Sequence, residues 1–418
     1  MPGVGASFRR DDAKLEETSM ERKLELSRRH FMVVGVGAAG VLATNPELGI
    51  GSQALAQEAK PLPDYVAWKN ANAMIVHSKN TMETRREYFG TSGITPIDEL
   101  YVRNNLPAPD ESIVADRDGW EVSVEGVKEP RKVKLGELRS LGIESVATVL
   151  QCSGNGRGFF SHKASGSPWK VGAAGNVLWS GVPLRAVVAA CGGVADGARF
   201  ITGTGGEKMP DGIDPKTVMV ERSVPIAALE HAMLAWEMNG SPLTLAHGGP
   251  LRLVVPGYYG INNVKYVKRL AFTAAESDVN IQRTGYRVRP VGQKGAADQP
   301  SMWEMTVKSW VTHPLKEDSG GPVQIHGVAF GGAHALKGVE VSVDGGKTWK
   351  PAKLIGPDLG QFAWRVFVLP AELKPGKYTI ASRATDVKGN VQPEEMESNE
   401  RAYGHNGWSA HAVAVTVV

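Results

Sequence analysis

Two textures of hydrophobic alternation divide the chain. From about residue 57 to 290, strand-like and helix-like patterns are mixed with glycine-rich loops. The stretch GWEVSVEGVKEPRKVKL (119–135) alternates apolar and polar residues on both sides of a turn and predicts a β-hairpin. LGELRSL (135–141) predicts a short helix. VPLRAVVAACG (182–192) predicts an amphipathic helix ended by Gly192. SVPIAALEHAMLAWEMNG (223–240) predicts another, closed by Asn239-Gly240. PLRLVVPG (250–257) and VKYVKRLAFT (264–273) read as strands. This is an α+β pattern, without a regular βαβ alternation.

From about residue 300 the helical period disappears. GVEVSVDGGKTWKPAKL (338–354) alternates strictly around Asp344-Gly345-Gly346, a hairpin signal. WRVFVLP (364–370), GKYTIASRATD (376–386) and AHAVAVTVV (410–418) continue as strands. Short strands at this spacing predict an Ig-like β-sandwich. The Gly- and polar-rich VGQKGAADQP (291–300) reads as the linker. The predicted domains are therefore 57–295 and 296–418.

The first 56 residues read differently. Ser27-Arg28-Arg29-His30-Phe31-Met32 precedes a modest apolar run to about Ala43, and Ala54 and Ala56 provide an A-x-A cleavage site. The twin arginines predict a Tat signal, hence export of a folded protein to the periplasm. The apolar run is too short and glycine-rich for a membrane span, so none is expected once the signal is removed.

Composition narrows the function. At 418 residues with 42% hydrophobic and 22% charged residues, the chain is long enough for more than one core. A net charge of +3 with scattered Lys and Arg gives no basis for nucleic-acid binding. Two cysteines cannot build a disulfide framework, and neither C-x-x-C nor C-x-x-C-H occurs. A tetrathiolate metal site and a covalent c-type haem are thereby excluded. Cys191, inside VVAACG, reads as a core residue.

Cys152 is placed differently. It lies in LQCSGNGRGFF (150–160), where a strand dissolves into Gly, Ser and Asn. Small neighbours let a large group approach the sulfur, and Arg157 favours a thiolate, the form that attacks or ligates. A buried, inert thiol fits the same spacing, and none of the ten histidines can be paired with it from sequence.

Several longer stretches resolve that ambiguity. TPIDELYVRNNLPAP, LQCSGNGRGFF with WKVGAAGNVLWSGVPL, LAWEMNGSPLTLAHGGPLRLVVPGYYGINNVKYVKRL, QRTGYRV, and VSVDGGKTW with RATDVKGNVQPEE occur in this order. Together they make the chain resemble the sulfite oxidase family of molybdenum enzymes, most closely its haem-free bacterial sulfite dehydrogenases. The resemblance implies a molybdopterin-binding domain followed by an Ig-like dimerisation domain, with no haem in this chain. It implies Cys152 as the protein ligand of molybdenum held on a pyranopterin, chemistry that suits a soft thiolate. His247 and Arg252 of HGGPLR, Lys265 of NVKY, and Arg103, Asn104 and Asn105 of YVRNN are implied cofactor contacts. Arg103, Arg157, Trp169, Tyr286 and Arg401 are implied to bind substrate, with Cys152, Tyr286, Arg103 and Arg157 as the catalytic set. Many members have His where this chain has Asn105. The implied activity is oxidation of sulfite to sulfate, with electrons passed to a periplasmic c-type cytochrome, by a homodimer. A sulfane dehydrogenase subunit or a sulfoxide reductase shares the fold; QCSGNGRG argues against the first and the sandwich against the second. A non-enzymatic Ig-like binding protein explains the C-terminal strands but not the export signal.

Overall fold

The stretch ESVATVLQ, which leads into Cys152, forms the strand Glu144–Gln151, which passes from exposed at its start to fully buried at its end. It runs antiparallel to Ala174–Pro183, from Glu144 opposite Gly181 to Gln151 opposite Ala174. In this computed structural model, residues 60–107, 109–318 and 321–418 are described. The expected export signal and cleavage site, at 1–56, lie outside the described residues. No helix among the described residues is long and apolar enough to cross a membrane.

Ala174–Pro183 also pairs with Met233–Met238, which in turn pairs with Ser241–Pro242 and Arg252–Val254. A second five-stranded sheet has the order Arg131–Lys134, Glu121–Glu125, Val267–Thr273, Phe200–Gly205, Glu221–Pro225. The predicted hairpin at 119–135 is its edge, with Val122 opposite Val133. Val122, Val124, Leu270, Leu253 and Val187 join one core between this sheet and the helices Leu135–Ser140 and Leu184–Ala190. Cys191 is fully buried there. A small sheet of Met74–Ser78, Thr81–Thr84 and Val102–Arg103 presents Arg103 opposite Thr81.

The helix expected over 223–240 is absent. That stretch forms strand Glu221–Pro225, a short 3₁₀ turn Ile226–Glu230 and strand Met233–Met238. All but one residue of MLAWEM is buried. A strand covered on both faces reads as a continuous apolar run, which periodicity cannot separate from a buried helix.

The second region is a two-sheet sandwich. One sheet has the order Lys308–His313, Gly321–Phe330, Arg365–Leu373, Lys353–Ile355; the other Glu317–Asp318, Val413–Val417, Gly376–Asp386, Leu336–Ser342, Lys350–Pro351. Val311, Ile325, Val341, Phe367, Ile380 and Val415 fill the space between them. The predicted hairpin at 338–354 is present, with Glu340 opposite Pro351.

The described residues form one unit, and an aromatic cluster shared by both regions shows why. Phe89 and Tyr259 from the first region pack with Trp310, Phe330 and Trp364 from the second. Trp310 meets Phe89 and Trp364 edge-to-face at 5.7 and 6.3 Å, contacts worth about 0.5–1.5 kcal/mol each beyond area burial. Arg86 adds bonds to the carbonyls of Val311 (2.7 Å) and His411 (2.6 Å).

Lys308 enters this junction with almost no solvent exposure. Its Nζ has one long bond, 3.4 Å, to the Asn155 carbonyl. Burial lowers its pKa to about 7. An unfolded lysine holds its proton to about 10.4, so the folded state pays fully for the charge below about pH 7, and the cost fades as pH rises toward the unfolded value. Lys308→Met is therefore expected to raise the thermal midpoint most near pH 6 and less near pH 9. Paired melts at the two pH values check this; a gain that grows with pH contradicts it.

Candidate active site

Strand Glu144–Gln151 delivers Cys152 into the interior. The Cys152 N–H bonds to the Ala173 carbonyl, and the chain then turns through Asn155 N–H to Cys152 O and Arg157 N–H to Gly154 O, each 2.9 Å. The Asn155 amide fixes the turn, donating to Gln151 Oε1 at 3.0 Å and accepting from Ala173 N–H at 3.1 Å. Two glycines are required here. Gly156 has φ +98°, and a Cβ would lie 2.6 Å from His405 Cβ; a Cβ on Gly154 would lie 2.4 Å from the Arg157 guanidinium. Arg157 thus folds back over its own loop. Its Nε donates to Arg401 O (3.1 Å) and its Nη1 to Ser167 O (2.9 Å).

Inward from Cys152 lies a cleft lined by Tyr101, Asn104, Asn105, Glu207, His247, Arg252 and Lys265. Lys265 Nζ donates to Asn104 Oδ1 (2.6 Å) and to the Ala246 carbonyl. Arg252 donates to His247 O (2.9 Å) and Asn263 O (3.1 Å) and lies over the Trp179 ring at 5.1 Å. Burial, and then repulsion from Arg252 and its neighbours, pulls Lys265 well below the usual lysine range. Burial lowers Arg252 to about 10 and Lys69, behind the cleft, to about 7. His247 is held well below its ordinary value by burial and by Lys69, Lys265 and Arg252. Glu207 is the one acid among the lining residues; burial raises its carboxyl to about 7 despite the pull of Lys265. Glu207 Oε2 and His247 Nε2 are buried without hydrogen-bond partners. Unmatched buried cations and open polar atoms of both kinds belong to a site that takes a polar, anionic group.

Outward from Cys152 lies an adjoining recess lined by Arg103, Arg157, Trp169, Tyr286, Arg401 and Tyr403. Arg103 donates to the Asn104 carbonyl and to Asn105 Oδ1. Burial works against its charge, but Tyr286, Cys152 and Tyr403 more than offset this and its pKa is raised. Trp169 is buried, edge-on to His77 at 5.0 Å and Tyr101 at 6.5 Å. Tyr286 follows the single π-helical turn Ile281–Gly285, a local widening common beside functional groups. Beneath it Arg222, fully buried, bonds Asn262, Ser301 and the Ile281 carbonyl and lies 5.6 Å from the Tyr286 ring centroid.

Every residue named from sequence borders one of these two recesses. Asn105, His247, Arg252 and Lys265 line the inner one, and Arg157, Trp169 and Arg401 the outer. Arg103, Asn104, Cys152 and Tyr286 line both. Asn105 holds the Arg103 guanidinium. Tyr101, Glu207 and Tyr403 were not anticipated. The Gly-rich run before Glu207, GTGGE, was a usable signal, as was the place of Tyr101 at the head of YVRNN; nothing comparable marks Tyr403.

This arrangement suits a large anionic cofactor with a metal able to take one thiolate. The molecule's relatives carry such a group. Residues 107–281 match the model of the oxidoreductase molybdopterin binding domain, and residues 299–417 that of the Mo-co oxidoreductase dimerisation domain. The chain is thus a molybdopterin-dependent oxidoreductase, and its cofactor is a molybdenum–pyranopterin. It is 32% identical over 358 residues to mitochondrial sulfite oxidase of Rattus norvegicus, covering 79% of this chain and 63% of the relative. It is 31% identical to sulfite oxidase of Gallus gallus, covering 72% of this chain and 69% of the relative. Nitrate reductase [NAD(P)H] of Hordeum vulgare is 32% identical over 75% of this chain and 38% of its own length. The sulfane dehydrogenase SoxCD structure from Paracoccus pantotrophus shares the fold, with a TM-score of 0.69 at 24% identity over 89% of this chain and 96% of that one. The chain belongs to the sulfite oxidase family of molybdenum enzymes, and spans less than two thirds of the length of the rat and human sulfite oxidases.

If Lys265 and its neighbours receive the cofactor's phosphate, removing one cation weakens retention more than folding. Lys265→Gln is expected to lower the molybdenum content of the purified protein by about tenfold, the loss of one charge-assisted hydrogen bond. Elemental analysis beside circular dichroism checks this; full molybdenum loading contradicts it.

Proposed function

We propose that this protein oxidises sulfite to sulfate and passes the electrons to an external c-type cytochrome. The observation that carries this reading is the convergence of Arg103, Arg157 and Arg401 with Tyr286 on the recess outside Cys152. Three guanidiniums around one small pocket match a compact dianion; a neutral sulfoxide leaves those charges unmatched. In this reading Cys152 ligates the metal, and Lys265, Arg252 and His247 hold the pterin and its phosphate. The bound cofactor supplies the two-electron redox chemistry and the oxygen transfer. The protein residues bind, orient and neutralise. Arg103 is pre-aimed by Asn105 and Arg157 by two backbone carbonyls, so little is lost in ordering them when the anion arrives. Tyr286, whose phenol accepts from Arg103, keeps its O–H for the substrate. The overall change, sulfite and water to sulfate with two protons and two electrons, requires proton exit through this polar recess and electron exit one at a time.

The dimerisation-domain match supports a homodimer, for which two-fold symmetry is the default. The twin-arginine signal supports a periplasmic location, where c-type cytochromes are at hand. Sulfane oxidation is the second reading, favoured by the shared fold with SoxCD.

Sulfite-dependent ferricyanide reduction, expressed per bound molybdenum, separates the two. Fast turnover is expected; none from a molybdenum-loaded protein moves the assignment to sulfane chemistry. Arg157→Gln is expected to raise the KM for sulfite by about tenfold or more, since a charged hydrogen bond to the anion is lost. An unchanged KM removes Arg157 from the pocket. Cys152→Ser is expected to abolish turnover, and near-wild-type rates reject Cys152 as the thiolate ligand.

A further inference from the structure

The outer recess holds a second tyrosine, contributed by the other region of the chain. Tyr403 lies parallel to Tyr286, with ring centroids 5.1 Å apart and an interplanar angle of 6°. A cation flanks each ring: Arg222 lies 5.6 Å from the Tyr286 centroid and Arg157 lies 5.6 Å from that of Tyr403. The stack is therefore Arg222, Tyr286, Tyr403, Arg157, each cation favoured by a ring face.

Tyr403 is placed by a costly local backbone. Ala402, fully buried, has φ +49°, a left-handed conformation unusual for a residue with a side chain. Asn399 fixes the turn, donating to Tyr403 O and accepting from Tyr403 N–H, both at 2.9 Å. Gly404 N–H then bonds to Ser153 O at 2.8 Å, directly beside Cys152. Strain of this kind persists where surrounding contacts over-determine it, and here they aim one ring at the mouth of the site.

The phenol oxygen is equally constrained. Arg401 lies in hydrogen-bond contact with it, and Arg157 and Arg103 are within electrostatic range. A guanidinium only donates, so Arg401 occupies a lone pair and leaves the Tyr403 O–H for an acceptor. Among the described residues the hydrogen bonds provide no protein acceptor for it. Burial holds the phenol up to about 12, so it stays a donor throughout the working pH range.

We propose that Tyr403 is a substrate-binding residue, donating its O–H to an oxygen of the bound oxyanion beside Tyr286, so that the second region completes the substrate pocket. This rests on the sulfite reading above for the identity of the anion. Tyr403→Phe keeps the ring, the stack and the cation contact and removes only the donor. The dissociation constant for sulfate, measured calorimetrically on the oxidised molybdenum-loaded protein, is expected to rise about tenfold, as is the KM for sulfite, with a smaller fall in kcat. Molybdenum content and thermal midpoint should stay at the wild-type values. Tyr403→Leu, which also removes the stack, should lower kcat further. An unchanged sulfate affinity in Tyr403→Phe overturns the proposal, as does a thermal midpoint lowered in both variants with sulfate affinity kept. Wild-type protein that binds sulfate but fails to oxidise sulfite overturns the functional reading alone, because the sulfate titration still decides the role of Tyr403.

Discussion

The rest of the structure is organised around buried positive charge without enough internal negative charge to match it. Arg103, Arg157, Arg252 and Lys265 line the two recesses beside Cys152, with Lys69 in electrostatic reach of Lys265, and among the described residues Glu207 is the only acid lining the inner one. In a low-dielectric interior such a set is expensive unless anions arrive to complete it. Backbone carbonyls partly compensate, at Asn104, Ala246, His247, Asn263, Ser167 and Arg401. Those same bonds aim the cations, so the groups that are costly to bury also make binding of the anions specific.

That constraint explains why two regions of the chain are bound so closely. The Cys152 loop is tied to the second region through Arg157 Nε to Arg401 O and Gly404 N–H to Ser153 O. The Trp310 aromatic cluster supplies the apolar part of the same junction. The dimerisation domain therefore has a second task here: it supplies Arg401 and Tyr403 to the lining of the outer recess. Loosening the junction displaces Arg401 and Tyr403 together, because the buried, left-handed Ala402 joins them.

Much of this was legible along the chain because the signals were local. Hairpins at 119–135 and 338–354 declared themselves by alternation around a turn, and the helix before Gly192 by period and stop. The site residues were legible through motif order, since HGGPLR, NVKY and YVRNN each carry their chemistry within a few positions. The misread stretch at 223–240 failed for a physical reason. Met233–Met238 is covered on both faces, so its apolar run has no period to betray a strand.

By itself, the sequence determined the two-part architecture, the lone thiol at a strand end and the set of cations intended for anions. The first two follow from periodicity and residue type, which are properties of neighbours in the chain, whereas the cations were implied by the resemblance to the sulfite oxidase family. Only the tertiary structure decided that Asn105 grips Arg103, that Glu207 sits among lysine and arginine, and that Tyr403 stacks on Tyr286. Tyr286 and Tyr403 lie 117 positions apart and Glu207 and Lys265 58 apart, and the grip of Asn105 on Arg103 depends on side-chain orientation, so no local pattern encodes these contacts.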